Sequence, residues 1–300
     1  MKTTTIAFIG LGAMGTPMAA NLIAAGFSVR AWSRNPAKAA ALKGATACPS
    51  PREATEGSNV LITMLSDEAA VESVLVGANG ALAGLAPGMI HIGMSTVSLA
   101  ATRKFADMHT RSGVRYVAAP VFGRPDAAQA RLLYIVAGGD LRGVERSAPI
   151  FSVLGQETYL HETAEQAMVV KLVGNYLIGA TVQALGEALA LGEKGGVNVE
   201  EMFSMLNLTL FGSPIFKNYG TRILRAEFTP PGFTVALARK DFRLIQEAAA
   251  DKKVPMPLAE LVAGRLNEAI KQGKGDQDFA GLAALVREGA GLKEKRERRA

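Results

Sequence analysis

The first half of the chain alternates short apolar runs with stretches of helical period. Residues 4–9 are apolar and stop at Gly10, the pattern of a buried strand. Residues 16–25 repeat with helical spacing and close at Gly26. Residues 27–32 form the next apolar run, and residues 36–42 read as a helix, with Asn35 as N-cap ahead of Pro36. Residues 60–65, 89–92, 116–119 and 133–137 are further strand-like runs. Helical patterns at 69–76 and 99–112 lie between them, and residues 158–161 offer a last strand. Strands alternating with helices predict an α/β Rossmann-type fold, a parallel, doubly wound sheet.

From about residue 164 the pattern changes. Residues 164–194 carry no proline and keep a nearly continuous helical period until Gly195-Gly196. At a rise of 1.5 Å per residue this helix would be about 45 Å long. Such a length predicts a helix that connects two bodies or packs on a partner chain. Helical segments follow near 199–208, 214–225, 235–251, 257–272 and 279–288, with no strand signal. Two domains are expected: residues 1–163, α/β, and residues 164–300, all-α.

Composition narrows the class. The apolar fraction is 49% and the charged fraction 20%, enough core-forming material to exclude a disordered chain. No run approaches about 18 uninterrupted apolar residues, and the N-terminus lacks a signal-peptide pattern, so no membrane partner is expected. Cys48 is the single cysteine, which excludes an intramolecular disulfide framework and points to a cytoplasmic setting. Cys48 lies in a predicted strand end, Thr46-Ala47-Cys48, and reads as a small buried hydrophobe rather than a nucleophile. His91, His109 and His161 are far apart in sequence, and His161-Glu162 lacks a second histidine at metal-binding spacing. No metal site is expected. The net charge is +6. Half of it sits in the tail from Lys293 to Arg299, which reads as a solvated helix end rather than a nucleic-acid arm.

The chemistry begins at Gly10-Leu11-Gly12-Ala13-Met14-Gly15, a Gly-x-Gly-x-x-Gly loop between a strand and a helix. Gly10 permits the tight turn, Gly12 lets the backbone approach a pyrophosphate, and Gly15 allows close helix–strand packing. The helix N-terminus then offers N–H groups to phosphates. The second strand ends in Ser33-Arg34-Asn35. An acidic residue there would hold a ribose 2′-hydroxyl; here Arg34 can pair with a 2′-phosphate, and Ser33 and Asn35 can hydrogen-bond it. The expected cofactor is therefore NADPH (NADP+). On the long helix, Lys171 lies among apolar residues with Asn175 four positions on, so the two share a face. A lysine and an amide so placed can hold and protonate a carbonyl oxygen, although a helical lysine is more often simply solvated.

These motifs together resemble the β-hydroxyacid dehydrogenase family, over nearly the whole chain. Residues 8–22 are similar to its N-terminal signature. Residues 61–67, with Met64 and Leu65, resemble its nicotinamide-side loop, and Ser95-Thr96 its Ser-Thr contact. Lys171 and Asn175 match its catalytic Lys-x-x-x-Asn. Phe233 through Arg239-Lys240-Asp241 resembles its C-terminal motif, in which the lysine reaches the cofactor. The resemblance implies a Rossmann domain and an all-α domain joined by a long helix, an active site in the interdomain cleft, and a homodimer or homotetramer. It implies hydride transfer between nicotinamide and a small carbonyl or hydroxy compound, a β-hydroxy acid or aldehyde acid. Lys171 would be the general acid or base, Asn175 would position the substrate, and Thr96 and Lys240 would contact the cofactor. Ser95, Phe122, Gly123, Arg124 and Phe233 would lie at the substrate.

The chain departs from the family at one loop. The usual Asp-Ala-Pro-Val-Ser-Gly-Gly is Ala118-Ala119-Pro120-Val121-Phe122-Gly123-Arg124, and the glycines usual before the lysine are Glu165 and Ala167. Arg124 can clamp a carboxylate in place of the lost hydroxyl, Phe122 can make the pocket apolar, or Arg124 can face solvent. Two rival functions stand: an imine-reductase-like activity on an apolar substrate, and a non-catalytic NADPH-binding scaffold. Lys171 favours carbonyl reduction over the first, although the altered Phe122 loop leaves room for imines, and the intact Lys171–Asn175 pair argues against the second.

Overall fold

The computed structural model describes residues 4–292. The expectation for the basic tail at 293–299 lies outside the described residues. Strand β1 (Thr5–Ile9) is the centre of the first unit. Helix α1 (Gly15–Ala24) follows, then β2 (Ser28–Trp32), α2 (Pro36–Ala40), β3 (Ala45–Ala47), α3 (Pro51–Thr55), β4 (Val60–Thr63) and α4 (Glu68–Leu75). After them come β5 (Ile90–Gly93), α5 (Leu99–Arg111), β6 (Arg115–Ala118), β7 (Val121–Phe122), α6 (Pro125–Gln129), β8 (Leu133–Gly139), α7 (Leu141–Leu154) and β9 (Gly155–His161).

Six strands run parallel in the order β3-β2-β1-β4-β5-β6. The register sets Ile9 beside Trp32 on one side and Thr63 on the other, so the ends of β1, β2 and β4 meet at one edge. Ile6, Ala7, Phe8 and Ile9 are all fully buried. A strand covered by helices on both faces reads as an unbroken apolar run, which is why this one was legible. The expected cap at Asn35 is present, and Ser50, Asp67, Ser98 and Asp140 each cap a further helix through the side chain.

The alternation predicts a parallel sheet, and the observed sheet departs from that at one edge. Strand β8 runs antiparallel to β6 (Val117 opposite Gly139) and to β7 (Val121 opposite Ile135), and parallel to β9. The physical reason is the connection. Only residues 123–132 separate β7 from β8, fewer than a parallel crossover needs, so the chain turns back on itself. β6 and β7 keep one register along β8 and are two parts of one strand. The carbonyl of Pro120, between them, accepts the Val136 N–H at 2.9 Å. Proline lacks a donor, so the ladder is interrupted there without being lost. The strand end expected at residues 46–48 is the short strand β3, whereas β7 was not expected from the sequence.

Helix α8 (Ala164–Lys194) is the long helix. It leads to α9 (Val199–Leu208), α10 (Pro214–Arg225), α11 (Val235–Lys252), α12 (Pro257–Lys271) and α13 (Leu282–Gly289). The helix expected from residue 279 begins as a 3-10 turn, Phe279–Gly281, because buried Asp278 caps it by accepting the Ala280 N–H at 3.1 Å. A single bridge, Thr234 with Asp278, is the only strand-like pairing among the described residues of this half. The chain divides into two compact units between Leu172 and Val173, inside α8 rather than before it. Ala167, Met168 and Leu172 are buried in the first unit, and Val182, Leu185 and Leu189 in the second. By length and apolarity alone α8 is able to cross a membrane. Its buried polar residues Lys171, Asn175 and Gln183 instead mark a helix built to be packed by protein.

Candidate active site

The phosphate loop sits where β1 ends and α1 begins. Gly10 has φ +105°, and a Cβ there would lie 2.2 Å from the Met64 carbonyl oxygen. A Cβ on Gly15 would lie 1.9 Å from the Gly10 carbonyl oxygen, so only glycine lets the helix approach the turn. Gly12 is different: a Cβ there would meet nothing within 4 Å. Nothing in the fold requires glycine at that position, whereas a ligand lying on the backbone would. Helix α1 also starts without a capping side chain, unlike α2 to α5; the Thr16 N–H donates to the Gly12 carbonyl at 3.1 Å, and the positive end of the helix dipole faces the loop. Leu11 is buried beneath the loop, Ala13 is exposed and Met14 half-buried above it. An open cradle at Gly12 at the positive end of a helix fits a dinucleotide pyrophosphate.

At the end of β2, Ser33 is half-buried and Arg34 exposed. Asn35 has a structural task as well, since its side chain accepts the Ala37 N–H at 3.1 Å and starts α2. The ends of β4 and β5 are tied together. Ser95 is buried, and its hydroxyl accepts the Leu65 N–H at 2.8 Å, while the Met64 N–H donates to the Ile9 carbonyl at 3.0 Å. Ser95 thus shapes the Met64-Leu65 loop, and half-buried Thr96 follows it.

Behind this loop lies a chain of groups that the sequence did not announce. The Thr63 hydroxyl and His91 Nε2 are 2.8 Å apart, His91 Nδ1 and His109 Nε2 are 2.8 Å apart, and His109 Nδ1 is 2.6 Å from the Phe105 carbonyl. The carbonyl can only accept, so His109 Nδ1 carries a proton and its Nε2 accepts from His91 Nδ1. His91 Nε2 then accepts from Thr63. Burial holds both imidazoles neutral: His91 far below the ordinary histidine range, helped by His109 beside it, and His109 down at about 4. Tyr116 packs edge-on against His91, 5.4 Å between ring centroids, and burial pushes its phenol up.

The tip of β7 carries the departing loop. Phe122 is half-buried, Gly123 exposed and Arg124 half-buried at the start of α6. Lys171 belongs to the same unit and is only 9% exposed; its Nζ stands 4.2 Å from the centroid of the Phe122 ring. That is cation–π contact. The unexpected Glu165 pairs with Arg103 at 3.0 Å, on the same unit.

In the second unit, Asn175 is buried and its Nδ2 donates to Asp241 Oδ2 at 2.6 Å. The other carboxylate oxygen of Asp241, a residue 2% exposed, lies 2.8 Å from the Lys240 ammonium. One buried carboxylate therefore orients Asn175 and Lys240 together. The sequence motif Arg239-Lys240-Asp241 includes this aspartate but assigns it no role; its contact with Asn175 comes from the packing of α11 against α8. Phe233 lies against Phe279, 6.0 Å between ring centroids. Lys171 and Asn175 stand one turn apart on α8, as their spacing required.

Residues 5–168 match the model of the NAD binding domain of 6-phosphogluconate dehydrogenase. Residues 166–286 match that of the NAD-binding region of NADP-dependent 3-hydroxyisobutyrate dehydrogenase. The chain belongs to the β-hydroxyacid dehydrogenase family. As a β-hydroxyacid dehydrogenase it is an NAD(P)-dependent oxidoreductase acting on CH–OH groups. It is 37% identical to an uncharacterised oxidoreductase of Bacillus subtilis, over 94% of this chain and 99% of that one. It is 33% identical to glyoxylate/succinic semialdehyde reductase 1 of Arabidopsis thaliana, over 94% and 98% of the two chains. It is 34% identical to 3-sulfolactaldehyde reductase of Escherichia coli, over 97% and 98%. Among solved structures, 3-hydroxyisobutyrate dehydrogenase of Mycobacterium tuberculosis superposes with a TM-score of 0.86 at 28% identity, covering 95% of this chain and 99% of that one. Membership accounts for the sheet, the glycine loop and the long helix of this dehydrogenase alike.

Proposed function

We propose that this dehydrogenase is an NADPH-dependent reductase of a small carbonyl compound, with Lys171 as the proton donor. The observation that carries the reading is a lysine held almost wholly out of water on the helix that also bears Asn175. A bound nicotinamide supplies the hydride that adds to the carbonyl carbon. As the C=O π pair moves to oxygen, the Lys171 ammonium gives that oxygen a proton and is left as a neutral amine, which solvent reprotonates. Asn175, its amide fixed by Asp241, positions the substrate. In the oxidative direction the neutral amine of Lys171 takes the hydroxyl proton. Support for NADPH over NADH is Arg34, exposed at the end of β2 with no carboxylate in Ser33-Arg34-Asn35. Gly10, Leu11, Gly12, Ala13, Met14 and Gly15 would take the pyrophosphate, and Met64, Leu65, Thr96 and Lys240 the rest of the cofactor.

A homodimer is part of this reading. On α8, Val173, Leu177, Ala184 and Leu191 are all exposed and spaced by four, seven and seven residues, one straight apolar stripe. The buried lone Cys48, whose thiol burial pushes up, fits a reducing cytoplasm.

The test is NADPH oxidation with glyoxylate, succinic semialdehyde, a hydrophobic aldehyde and a cyclic imine. Lys171→Ala should lower kcat roughly 10²- to 10⁴-fold with NADPH affinity within about twofold. Full turnover without the lysine would end the proton-donor role. Arg34→Asp should lower the NADPH-to-NADH preference by at least about tenfold, and an unchanged ratio would remove Arg34 from the cofactor site.

A further inference from the structure

We propose that Phe122 determines the substrate class of this reductase, selecting carbonyl compounds whose carbonyl carries a hydrocarbon group over those with a carboxylate beside it. The inference rests on Lys171 being the proton donor, and it goes beyond that reading by saying what flanks the donor.

The ring centroid of Phe122 lies 4.2 Å from Lys171 Nζ. At that distance the ring covers one side of the ammonium with a surface that has no lone pair to accept a full hydrogen bond. A carbonyl oxygen that takes the proton must therefore reach Nζ beside the ring, not through it. The group attached to that carbonyl is then brought against the aromatic surface. Phe122 is only half-buried, so part of the ring remains for such a contact. The face of an aromatic ring is negative and its body apolar. It gains by covering hydrocarbon, and the ring itself can neither hydrogen-bond nor neutralise a carboxylate, as the hydroxyl usual at this position could by hydrogen bonding.

The backbone holds Phe122 in this place. It pairs with Tyr134 on β8, and buried Val121 precedes it, opposite Ile135. Alternation along β7 sends Val121 into the core and leaves Phe122 on the other face, where Lys171 stands. Phe122 therefore acts in two ways from one position. It positions the ammonium through the cation–π contact, and it selects the substituent through its apolar surface.

The experiment compares the purified wild-type enzyme with Phe122→Ser, Phe122→Leu and Lys171→Ala, on glyoxylate and on isobutyraldehyde with saturating NADPH. Wild type should favour isobutyraldehyde in kcat/KM by at least about tenfold, and Phe122→Ser should reverse or erase that preference. Phe122→Leu should keep the preference, since leucine is apolar, and lose about fivefold in kcat, since it has no π face. Lysine-dependent turnover with a preference indifferent to Phe122→Ser overturns this inference and leaves the lysine mechanism standing. Turnover independent of Lys171 overturns the mechanism itself. A readout free of turnover completes the test. In protein labelled at lysine 13Cε, the Lys171 resonance, assigned with Lys171→Arg, should be shifted upfield by the ring and return to the common lysine position in Phe122→Leu. An unshifted Lys171 resonance in the wild type overturns the inference whatever the substrates do.

Discussion

His109 donates to the Phe105 carbonyl, and that one bond dictates where the protons lie on His109 and His91 and which way the Thr63 hydroxyl points. Both rings are fully buried with no acid among their hydrogen-bond partners, so each is stable only when neutral. The consequence for stability has a definite sign. His109 is held at about 4 in the folded protein against an ordinary 6.5. The unfolded chain therefore takes up this proton first as pH falls, and stability is lost from about 6.5 down through about 4. From those two values the loss is about 3 kcal/mol. In urea denaturation, wild type should be more stable than His109→Gln at pH 7.5, and the gap should close by about that amount at pH 4. A gap that does not change with pH would mean that His109 is not neutral in the fold.

At the scale of the element, the β1–α1 turn separates the demands of folding from those of binding within six residues. Gly15 cannot carry a side chain because the Gly10 carbonyl occupies the space, and Gly12 could carry one because the space is open. Gly12→Val should therefore melt within about 2 °C of wild type, as surface changes away from packing do, yet lose NADPH binding, since the valine stands where a pyrophosphate would lie. Gly15→Ala should fold poorly or melt far lower. Thermal melts and NADPH fluorescence titration read both effects. Retained NADPH affinity in Gly12→Val would remove this turn from the cofactor site. On α8 the comparable division is around the helix: Lys171 and Asn175 face inward, and the stripe of Val173, Leu177, Ala184 and Leu191 faces out.

For the whole molecule, that stripe is apolar surface left in water, and it is not alone. In the second unit, Leu208 is 81% and Leu210 89% exposed, an unusual cost for a monomer in water. Leu177→Glu should convert the dimer expected here to a monomer in sedimentation velocity, because a carboxylate would be buried unpaired at the seam. A wild-type chain that sediments as a monomer at micromolar concentration would refute the assembly.

The sequence by itself determined the parts that depend on local chemistry. A fully buried strand needs an unbroken apolar run, a phosphate turn needs its glycines, a helix start needs its cap, and an i, i+4 pair must share a helical face. For that reason β1, the Gly10–Gly15 loop, the start of α2 and the Lys171–Asn175 pair were all legible. The tertiary structure alone decided what depends on residues distant in the chain. The antiparallel return of β8 follows from a connection too short to cross over. Asp241 reaches Asn175 across 66 positions. His91 and His109, which looked unrelated, meet because β5 and α5 pack together. Phe122 looked like a lost hydroxyl; its contact with Lys171, 49 residues away, shows a ring set against an ammonium. Spacing along a chain reveals neighbours on one element, whereas the pairing of charges and rings from different elements is settled only when the core has packed.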